Sequence, residues 1–401
     1  MLGPSSFPRD VVIMGGAGHV GLPLALALAS RGLTVTVYDI NEMVVGQLNA
    51  AKMPFEEPGA GSILQDVTAR GDLVATCDPA SVATAETLIV VIGTPVDEHL
   101  NPDPRAISAA LEPIKLYLRD GQLLVLRSTV YPGVTRMVEA IIAKLGRGID
   151  VTFCPERIAE GRAMQELFTL PQIVAGRSPA GVERASALFG RLTDKIVELS
   201  PEEAELAKLF TNTWRYVMFA TANQLYMMAN DRELDFERIR SAVIEDYPRA
   251  ANMPGAGLAA GPCLLKDTMQ LAAFNNNNFF LGHSAMMVNE GLPLYLVSRL
   301  ERRYDLSQMT VGILGMAFKA GSDDIRSSLS YKLRRILAFK AARVLCTDPY
   351  VTADPDLVPL AVVLQQADLL VVATPHQEYR DLKTAVPVAD VWNLMGTGVR
   401  V

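Results

Sequence analysis

The chain has 401 residues, of which 50% are hydrophobic and 20% charged, and its formal net charge is −7. This length suits two or three domains, and the charge gives no indication of a nucleic-acid partner or of binding to an anionic membrane surface. The longest apolar run, residues 20–29, contains Pro23 and is too short to span a bilayer. With no secretory segment at the N-terminus, the expectation is a cytoplasmic protein with reduced thiols and no membrane partner.

Residues 11–39 carry the pattern of a dinucleotide-binding βαβ unit. A β-branched strand leads into glycines spaced G-x-G-x-x-G, at Gly16, Gly18 and Gly21. An apolar helix follows, and then a second strand that ends at Asp39. In this pattern Gly16 makes the tight turn, Gly18 lets a pyrophosphate approach, and Gly21 lets the helix pack on the strand. Asp39 would accept hydrogen bonds from a ribose diol and repel a 2′-phosphate, so the segment predicts NAD as the cofactor.

Further strand and loop units indicate a parallel, doubly wound α/β sheet. A helix is predicted at 42–51, and strands are predicted at 86–95, 123–126, 150–154 and 196–199. In such sheets the ligand binds at the carboxyl ends of the strands. The residues expected at this edge are Asp39, Thr94, Thr129 and Glu156.

The pattern becomes helical from Pro201 onwards. Residues 201–229 have acidic residues in the first turn and helical periodicity, with no glycine or proline after the start. At about 1.5 Å per residue this helix would be roughly 40 Å long. A helix of this length usually separates domains or builds an interface. Two further helices are predicted near 235–246 and 283–303.

Cys263 follows a run of small residues and is the first candidate for a reacting group. The segment 255–268 reads GAGLAAGPCLLKDT, and small residues let a ligand approach the backbone closely. A thiol near a cation such as Lys266 can be held as thiolate and attack a carbonyl. The alternative is that Cys263 is a small buried hydrophobe. The spacings of the four cysteines match no metal-ligand pattern, so no metal site is predicted.

A second α/β pattern, within 310–375, echoes the first. Its first strand and turn read TVGILGMAF, and its second strand ends with Asp348 where Asp39 stands in the N-terminal pattern. Its third strand, ADLLVVATP, resembles AETLIVVIGTP. The C-terminal part is therefore predicted to be another Rossmann-like unit, and because it lacks the third glycine it need not bind a dinucleotide.

Polar residues in other segments could join the cysteine in one site, although each also has a structural explanation. Lys208 and Asn212 are four residues apart and share one face of the long helix. Glu156 and Glu160 could simply be solvated, and Lys208 could pair with Glu205 on the helix surface.

Motifs along nearly the whole chain read, in order, GGAGHVGLPLA, PFEEPG, STVYPG, PERIAEG, EAELAKLFTNTW, GPCLLKD and GMAFKAGSDDIRSS. In these segments the chain resembles the UDP-glucose/GDP-mannose dehydrogenases. The resemblance implies three domains. These are an NAD-binding Rossmann domain at 1–199, a central helical dimerisation domain with the cysteine loop at 200–304, and a Rossmann-like domain for the UDP-sugar at 305–401.

The resemblance also implies two successive oxidations at one site. The C6 alcohol of the sugar becomes an aldehyde, Cys263 attacks it, and a second oxidation gives a thioester that is hydrolysed to the uronate. Asp267 would orient or activate water, and Lys208 and Asn212 would stabilise oxyanion charge. Thr129 and Glu156 would take part in proton transfer through water.

Two further sets of residues are implied to bind the ligands. Those assigned to NAD are Gly16, Gly18, His19, Val20, Gly21, Asp39, Thr94, Thr129, Glu160 and Arg326. Those assigned to the nucleotide sugar are Glu156, Arg157, Lys208, Asn212, Gly257, Phe318 and Lys319, with Arg249 assigned to the substrate of the partner subunit. A homodimer through the central domain is expected, because the long helix would expose Phe210, Trp214, Phe219 and Met227.

The sugar and the reaction class leave alternatives open. UDP-glucose is the first expectation, UDP-N-acetylglucosamine or UDP-N-acetylmannosamine the alternative, and GDP-mannose is less favoured. Two departures from the family bear on binding: Pro262 stiffens the cysteine loop, and Val44 replaces a basic residue for the adenosine ribose, which predicts weaker NAD binding.

Two other classes of protein compete with this interpretation. A β-hydroxyacid dehydrogenase also joins a Rossmann domain to a helical domain, but it transfers one hydride with a lysine and needs neither the cysteine nor a third domain. A non-catalytic NAD- or nucleotide-sensing protein would tolerate loss of Cys263, Lys208 or Asp267, and all three are present.

Overall fold

The structure, a computed structural model, describes residues 7–94, 96, 103 and 105–396. The chain divides into two units, Met1–Phe210 and Thr211–Val401. The division lies inside one long helix, which begins at Pro201 and ends at Asn230.

The first unit is built from strands and helices that mostly alternate along the chain. In order they are β1 (Arg9–Met14), α1 (Gly21–Ser30), β2 (Val35–Tyr38), α2 (Glu42–Asn49), α3 (Ala60–Ala69), β3 (Leu73–Thr76), β4 (Ala85–Val90), α4 (Ala106–Leu111), β5 (Leu123–Leu126), α5 (Val134–Lys144), β6 (Asp150–Phe153), α6 (Ala163–Thr169), β7 (Gln172–Gly176), α7 (Pro179–Phe189), β8 (Ile196–Leu199) and α8 (Pro201–Asn230). The strand predicted at 86–95 ends at Val90, so Thr94 lies in the loop that follows.

Within the described residues these strands form an eight-stranded sheet in the order β3-β2-β1-β4-β5-β6-β7-β8. One pair departs from the parallel pattern, because β6 and β7 run antiparallel. The chain between them, 154–171, returns beside β6 with only the short helix α6 and makes no crossover of the kind that a parallel neighbour needs. The strands β3 and β7 were not predicted from the sequence.

The sheet of the first unit is covered on both faces. In β1, Val11 and Ile13 belong to one hydrophobic cluster, while Val12 and Met14 belong to another. Successive side chains of a strand point to opposite faces, so the two clusters lie on the two sides of the sheet. Because both faces are covered, the place where a sheet of this kind binds a ligand is the edge formed by the carboxyl ends of its strands.

The second unit continues α8 with helices and a smaller sheet. Its further elements are α9 (Phe236–Ile244), α10 (Leu264–Phe274), α11 (Phe280–Glu301), β9 (Thr310–Leu314), α12 (Leu329–Ala338), β10 (Arg343–Thr347), α13 (Leu360–Gln366), β11 (Leu369–Val372) and β12 (Val388–Ala389). The described strands pair in the order β10-β9-β11-β12, and all three pairs are parallel. The helix α10, which begins directly after Cys263, was not predicted from the sequence.

The predicted echo between the two sheets is present in the backbone. The N–H of Gly15 donates to the carbonyl of Tyr38 at 2.9 Å, and that of Gly315 donates to the carbonyl of Thr347 at 2.9 Å. Both glycines have positive φ, 72° and 93°. The C-terminal sheet is therefore a second Rossmann-like unit. Among the described residues, no helix combines the length and the apolar character that crossing a bilayer requires.

Candidate active site

The dinucleotide pattern folds as β1, a glycine turn and the N-terminus of α1. Gly18 is exposed, and a Cβ placed on it would have its nearest neighbour 3.9 Å away. A Cβ on Gly21 would lie only 2.6 Å from the Cα of Gly16, so α1 packs tightly on the turn. Val20 is the N-cap residue of α1. The N–H groups and the positive dipole end at this terminus fit a pyrophosphate.

The tight turn is made by Gly15 rather than by Gly16, which corrects the expectation. Gly15 has a φ of +72°, and a Cβ there would lie 2.1 Å from the carbonyl oxygen of Val91. Gly16 is needed for close packing instead, because a Cβ there would lie 2.6 Å from the carbonyl oxygen of Ile13. The sequence analysis missed Gly15 because it precedes the three spaced glycines.

Asp39 follows β2 directly and is half-buried. Its Oδ2 accepts the N–H of Ala17 at 3.1 Å, and its Oδ1 accepts the N–H of Asn41 at 3.1 Å. A carboxylate has about four acceptor sites, so these two contacts leave it able to accept ribose hydroxyls. Val44 packs against the core of the first unit, and its N–H donates to the capping side chain of Asn41 at 3.2 Å.

Glu160 and His19 lie together in the first unit. The Nδ1 atom of His19 is 3.7 Å from Oε1 of Glu160. The loop that carries Glu160 is fixed by Glu57, whose carboxylate accepts the N–H groups of Gly161 at 2.9 Å and Ala163 at 2.8 Å. Glu57 thereby satisfies donors at the start of α6. The motif PFEEPG was noted in the sequence, but no role for Glu57 was predicted.

Glu156 is bound by a buried arginine and is not solvated. Glu156 is 6% exposed and Arg127 is 1% exposed. Arg127 donates to Oε2 of Glu156 from Nε at 2.9 Å and also from Nη2. Oε1 accepts the N–H groups of Arg157 at 2.7 Å and Ile158 at 3.0 Å. The guanidinium of Arg157 donates to the carbonyl of Pro171, and burial lowers its pKa.

Thr94 and Thr129 meet at the carboxyl ends of β4 and β5. The hydroxyl of Thr94 donates to the carbonyl of Thr129 at 2.6 Å. The next loop is anchored by Glu205, which is 1% exposed and accepts the N–H groups of Gly133 at 2.7 Å and Thr135 at 2.8 Å. Glu205 is therefore not a surface residue, and it joins the first turns of α8 to the N-terminus of α5.

Cys263 is exposed and is the N-cap residue of α10. One turn further along, Asp267 is fully buried, and its N–H donates to the carbonyl of Cys263 at 2.8 Å. The carboxylate of Asp267 accepts from Nδ2 of Asn212 at 2.5 Å and pairs with Nζ of Lys266 at 2.8 Å. Lys208, 8% exposed, lies one helical turn before Asn212 on α8. A thiol at a helix N-terminus is favoured as thiolate.

The other cysteines have different environments. Cys154 and Cys346 are buried, and burial raises the pKa of each thiol to about 11. Cys77 is half-buried, and burial, with the nearby charges of Glu42 and Asp39, also raises its pKa. The thiols of Cys154 and Cys346 therefore stay protonated near neutral pH. Cys263 is exposed, so it does not fit the alternative of a small buried hydrophobe.

The loop before Cys263 is held by side chains from within the second unit. Asn223 donates from Nδ2 to the carbonyl of Gly257 at 3.0 Å and accepts the N–H of Gly257 at 2.9 Å. A Cβ on Gly257 would lie 2.3 Å from the ring of Trp392. This arrangement favours a structural role for Gly257 over the predicted substrate contact. The sequence analysis assigned no role to Asn223 or Trp392.

Phe318 packs against the same loop. Gly261 has a φ of +108°, and a Cβ there would lie 2.7 Å from the Phe318 ring. Lys319 follows and is half-buried. Arg326 is exposed, and its Nη2 lies 2.6 Å from Oδ2 of Asp324. The cysteine loop and the loop after β9 thus meet within the second unit.

Arg249 lies outside both of these loops and is exposed. Its guanidinium stacks on the ring of Tyr247, 5.0 Å from the ring centre. Its assignment to the partner's substrate stays a prediction.

Three family models match successive parts of the chain. They are the NAD binding domain of the UDP-glucose/GDP-mannose dehydrogenase family at residues 10–193, its central domain at 202–290 and its UDP binding domain at 312–397. Together they define a class, the NAD-dependent nucleotide-sugar dehydrogenases. The chain belongs to the UDP-glucose/GDP-mannose dehydrogenase family. This assignment displaces the alternative of a β-hydroxyacid dehydrogenase.

Individual relatives match along almost the full chain. A UDP-N-acetyl-D-mannosamine dehydrogenase from Pyrococcus horikoshii is 29% identical over 398 residues, which cover 96% of this chain and 92% of that protein. A solved structure of a UDP-D-ManNAc dehydrogenase from Pyrococcus horikoshii has a TM-score of 0.89 at 26% identity and covers 97% of both chains. A UDP-glucose dehydrogenase from Pyrobaculum islandicum has a TM-score of 0.88 at 26% identity and covers 97% and 96%.

The environment of Asp39 predicts a preference for NAD over NADP. The carboxylate would repel a ribose 2′-phosphate, and the next residues, Ile40 and Asn41, supply no cation. We expect kcat/KM to be at least about tenfold higher with NAD, equivalent to about 1.4 kcal/mol. Initial rates with each cofactor test this, and an Asp39→Ser variant is expected to narrow the ratio. Equal rates with both cofactors in the unaltered protein would contradict the assignment.

Proposed function

We propose that the protein oxidises the C6 hydroxyl of a UDP-N-acetylhexosamine, UDP-N-acetyl-D-mannosamine in the first place, to the uronate. The observation that carries the reaction type is the exposed Cys263 at the N-terminus of α10, one turn from the buried Asp267. A dehydrogenase that stops at the aldehyde needs no such thiol, whereas a second oxidation needs the aldehyde to be held covalently. The bounds of the three family matches support domains at 1–199, 200–304 and 305–401.

Each step of this reaction balances with the residues available. NAD, when bound, accepts one hydride in each of the two oxidations. The first oxidation leaves the C6 aldehyde and a proton, and the thiolate of Cys263 then adds to the aldehyde carbon. The second removes hydride from the thiohemiacetal carbon, and the resulting thioester reacts with water to give the carboxylate, the free thiol and a proton. Loss of the thiol proton then regenerates the thiolate.

We assign roles to the buried polar groups of α8 and α10. Lys208 and Asn212 lie one turn apart on α8 and would donate to the oxyanion that forms when sulfur adds to the aldehyde. One such donor is typically worth ~3 kcal/mol in the transition state. Asp267 is bound to Asn212 and Lys266, so it would orient Asn212 and the hydrolytic water. Removing Asp267 would leave both partners without their carboxylate.

Some residues of the first unit would bind NAD, and others hold its loops in place. Gly18, the α1 N-terminus and Asp39 would hold NAD, together with His19, Val20, Glu160 and the Thr94–Thr129 pair. Glu156 is engaged by Arg127 and by two backbone N–H groups. These contacts favour a structural role for Glu156, in which it fixes the loop at 156–161, over the role in proton transfer that was first expected. In the second unit, Phe318 and Lys319 would face the nucleotide sugar.

We propose an N-acetylated sugar in place of UDP-glucose, which was the first expectation, because of the substrates that the relatives' names state. The sequence relative and one of the two solved structures act by name on N-acetylmannosamine nucleotides, while the other structure is a UDP-glucose dehydrogenase. The test compares UDP-N-acetylmannosamine, UDP-N-acetylglucosamine, UDP-glucose and GDP-mannose with NAD, following NADH formation. We expect the highest kcat/KM with UDP-N-acetylmannosamine. A highest value with UDP-glucose would overturn the sugar assignment but not the reaction, and no turnover of any of the four would overturn the proposed reaction.

A homodimer through the central helices is part of the proposal. Trp214 on α8 is 64% exposed, and Met287 on α11 is 72% exposed. Of the residues expected on this surface, Phe210 is also exposed, whereas Phe219 and Met227 are half-buried. Further exposed apolar side chains of the second unit are Leu225, Met228, Ile239, Val243, Phe280, Leu281 and Leu294. Exposed apolar side chains that form one contiguous patch are typical of an interaction surface.

Light scattering at micromolar concentration is expected to give about twice the chain mass of 43.4 kDa. Charged substitutions on this surface, Trp214→Glu or Met287→Glu, are expected to shift the protein toward monomer. Leu116→Glu is the matched control, because Leu116 is 78% exposed in the first unit. A monomeric unaltered protein, or dissociation by the control alone, would contradict this interface.

A further inference from the structure

The two Rossmann-like units use the acid at the end of their second strand differently. Asp39 accepts two backbone N–H groups, those of Ala17 and Asn41. Asp348 occupies the matching position but has no exposed side-chain surface. Its Oδ2 accepts the N–H groups of Met316 at 2.6 Å and Ala317 at 2.9 Å.

The other contacts of Asp348 complete its hydrogen bonding. Oδ1 accepts the N–H groups of Tyr350 at 2.8 Å and Val351 at 3.1 Å. Oδ2 also lies 3.0 Å from Nε2 of His376. Five partners exceed the roughly four acceptor sites of a carboxylate, so Asp348 has no capacity left for a ribose. Although burial raises its pKa, the hydrogen bonds from His376 and from the backbone N–H groups lower it to about 2, so the group stays ionised.

His376 links this carboxylate to the loop that follows β9. The ring has no exposed surface, and its Nδ1 accepts the N–H of Gly321 at 3.2 Å. Because Nδ1 is an acceptor, Nε2 carries the proton and donates to Asp348. The rings of Tyr350 and Tyr379 pack on His376, with centroid distances of 5.1 and 5.8 Å. Both ring nitrogens are therefore committed to contacts within the second unit.

The loop held in this way is the one that carries Phe318 and Lys319. Asp348 binds its beginning at Met316 and Ala317, and His376 binds its middle at Gly321. The two anchor points flank Phe318 and Lys319 in the sequence. Loss of either anchor would free one end of the segment that presents these side chains.

We infer that Asp348 and His376 form a clamp that positions the loop at 316–321 for binding of the nucleotide sugar. The acid that in a dinucleotide site would accept the ribose is here used to fix the chain's own backbone, so this unit does not bind a dinucleotide at that position. Asp348 and His376 are positioning residues, because they act through Phe318 and Lys319. The inference rests on the proposed function for its kinetic readout but not for its binding readout.

Three substitutions of His376 separate its two contacts. The amide oxygen of asparagine can take the place of Nδ1 and accept from Gly321, whereas the amide nitrogen of glutamine can take the place of Nε2 and donate to Asp348. Alanine provides neither contact. Small displacements of a positioning loop cost on the order of tenfold to a hundredfold.

The measurements are KM for the UDP-sugar, KM for NAD, kcat, the affinity for UDP by calorimetry and the melting temperature. His376→Ala is expected to raise KM for the UDP-sugar and weaken UDP binding by at least about tenfold. KM for NAD and kcat at saturation are expected to stay within about threefold. His376→Asn, which retains the loop anchor, is expected to recover most of the UDP affinity, and His376→Gln less.

Leu337→Ala is the control for general destabilisation, because Leu337 is fully buried at the C-terminal end of α12. It is expected to lower the melting temperature without changing UDP affinity. Unchanged UDP affinity in all three His376 variants would overturn the clamp. The clamp would also be overturned if UDP affinity simply fell in step with the melting temperature across the three His376 variants and Leu337→Ala. If the unaltered protein binds UDP but oxidises no sugar, the proposed reaction fails while the clamp is still tested by calorimetry.

Discussion

Cys263→Ala is expected to abolish production of the uronate, with at most slow release of aldehyde. The sulfur is the atom that would hold the aldehyde for the second oxidation, and no neighbouring group can replace it. Asp267 is fully buried and bound to Asn212 and Lys266, so it is held as a supporting group rather than as a substitute nucleophile. The measurement is uronate formation by chromatography together with NADH formation.

Matched cysteine variants distinguish chemistry from packing. Cys77→Ala, at a half-buried position, is expected to leave turnover largely intact. Cys154 and Cys346 are buried thiols with pKa values of about 11, and substitution there is expected to affect stability more than turnover. Cys263→Ser is expected to stall as a slowly hydrolysed ester, because alkoxide is a poorer leaving group than thiolate. Uronate formation by Cys263→Ala at the unaltered rate would show that the cysteine only packs.

Arg127→Met is expected to produce the largest loss of stability among the substitutions considered. Arg127 is 1% exposed, and its guanidinium serves Glu156, the carbonyl of Cys154 at 3.0 Å and Oε1 of Gln172 at 3.0 Å. Methionine fills part of the volume but leaves the carboxylate of Glu156 buried without its cation. Breaking a buried ion pair in this way costs about 3–5 kcal/mol. Urea denaturation followed by circular dichroism measures the change.

The double variant Arg127→Met/Glu156→Gln provides the matched test. Because it removes the uncompensated charge as well as the cation, it is expected to recover part of the loss, as double-mutant cycles show for coupled pairs. Arg136→Met is the surface control, since Arg136 pairs with Glu202 with a side-chain exposure of 72%. Surface pairs contribute about 0–1 kcal/mol. Equal losses for Arg127→Met and Arg136→Met would contradict the buried pair.

Local sequence patterns were sufficient for the parts of the site that depend on neighbouring residues. Three features appear where predicted: the spaced glycines, the strand that leads to Asp39 and the acidic start of α8. Each of them depends only on residues that are close together in the sequence. The C-terminal echo was also visible, because Asp348 directly follows the second strand of its unit just as Asp39 does. In both units the acid that follows the second strand indicates where the carboxyl end of that strand lies.

The parts that the sequence did not reveal depend on long-range contacts. Glu57 binds Gly161 and Ala163 from more than a hundred residues away. Charged residues are usually exposed, so nothing local indicated that Arg127 would be buried. The strand β7 (Gln172–Gly176) was missed because its antiparallel pairing with β6 is set by the path of the chain between them.

The number of hydrides transferred per sugar tests the central claim most directly. The measurement uses a limiting amount of UDP-N-acetylmannosamine with excess NAD and counts NADH at completion, while a carbonyl trap reports free aldehyde. The account predicts two NADH for each sugar consumed, the uronate as product and no trapped aldehyde, because the thiol of Cys263 holds the intermediate. One NADH for each sugar, with the aldehyde as the accumulating product, would contradict it.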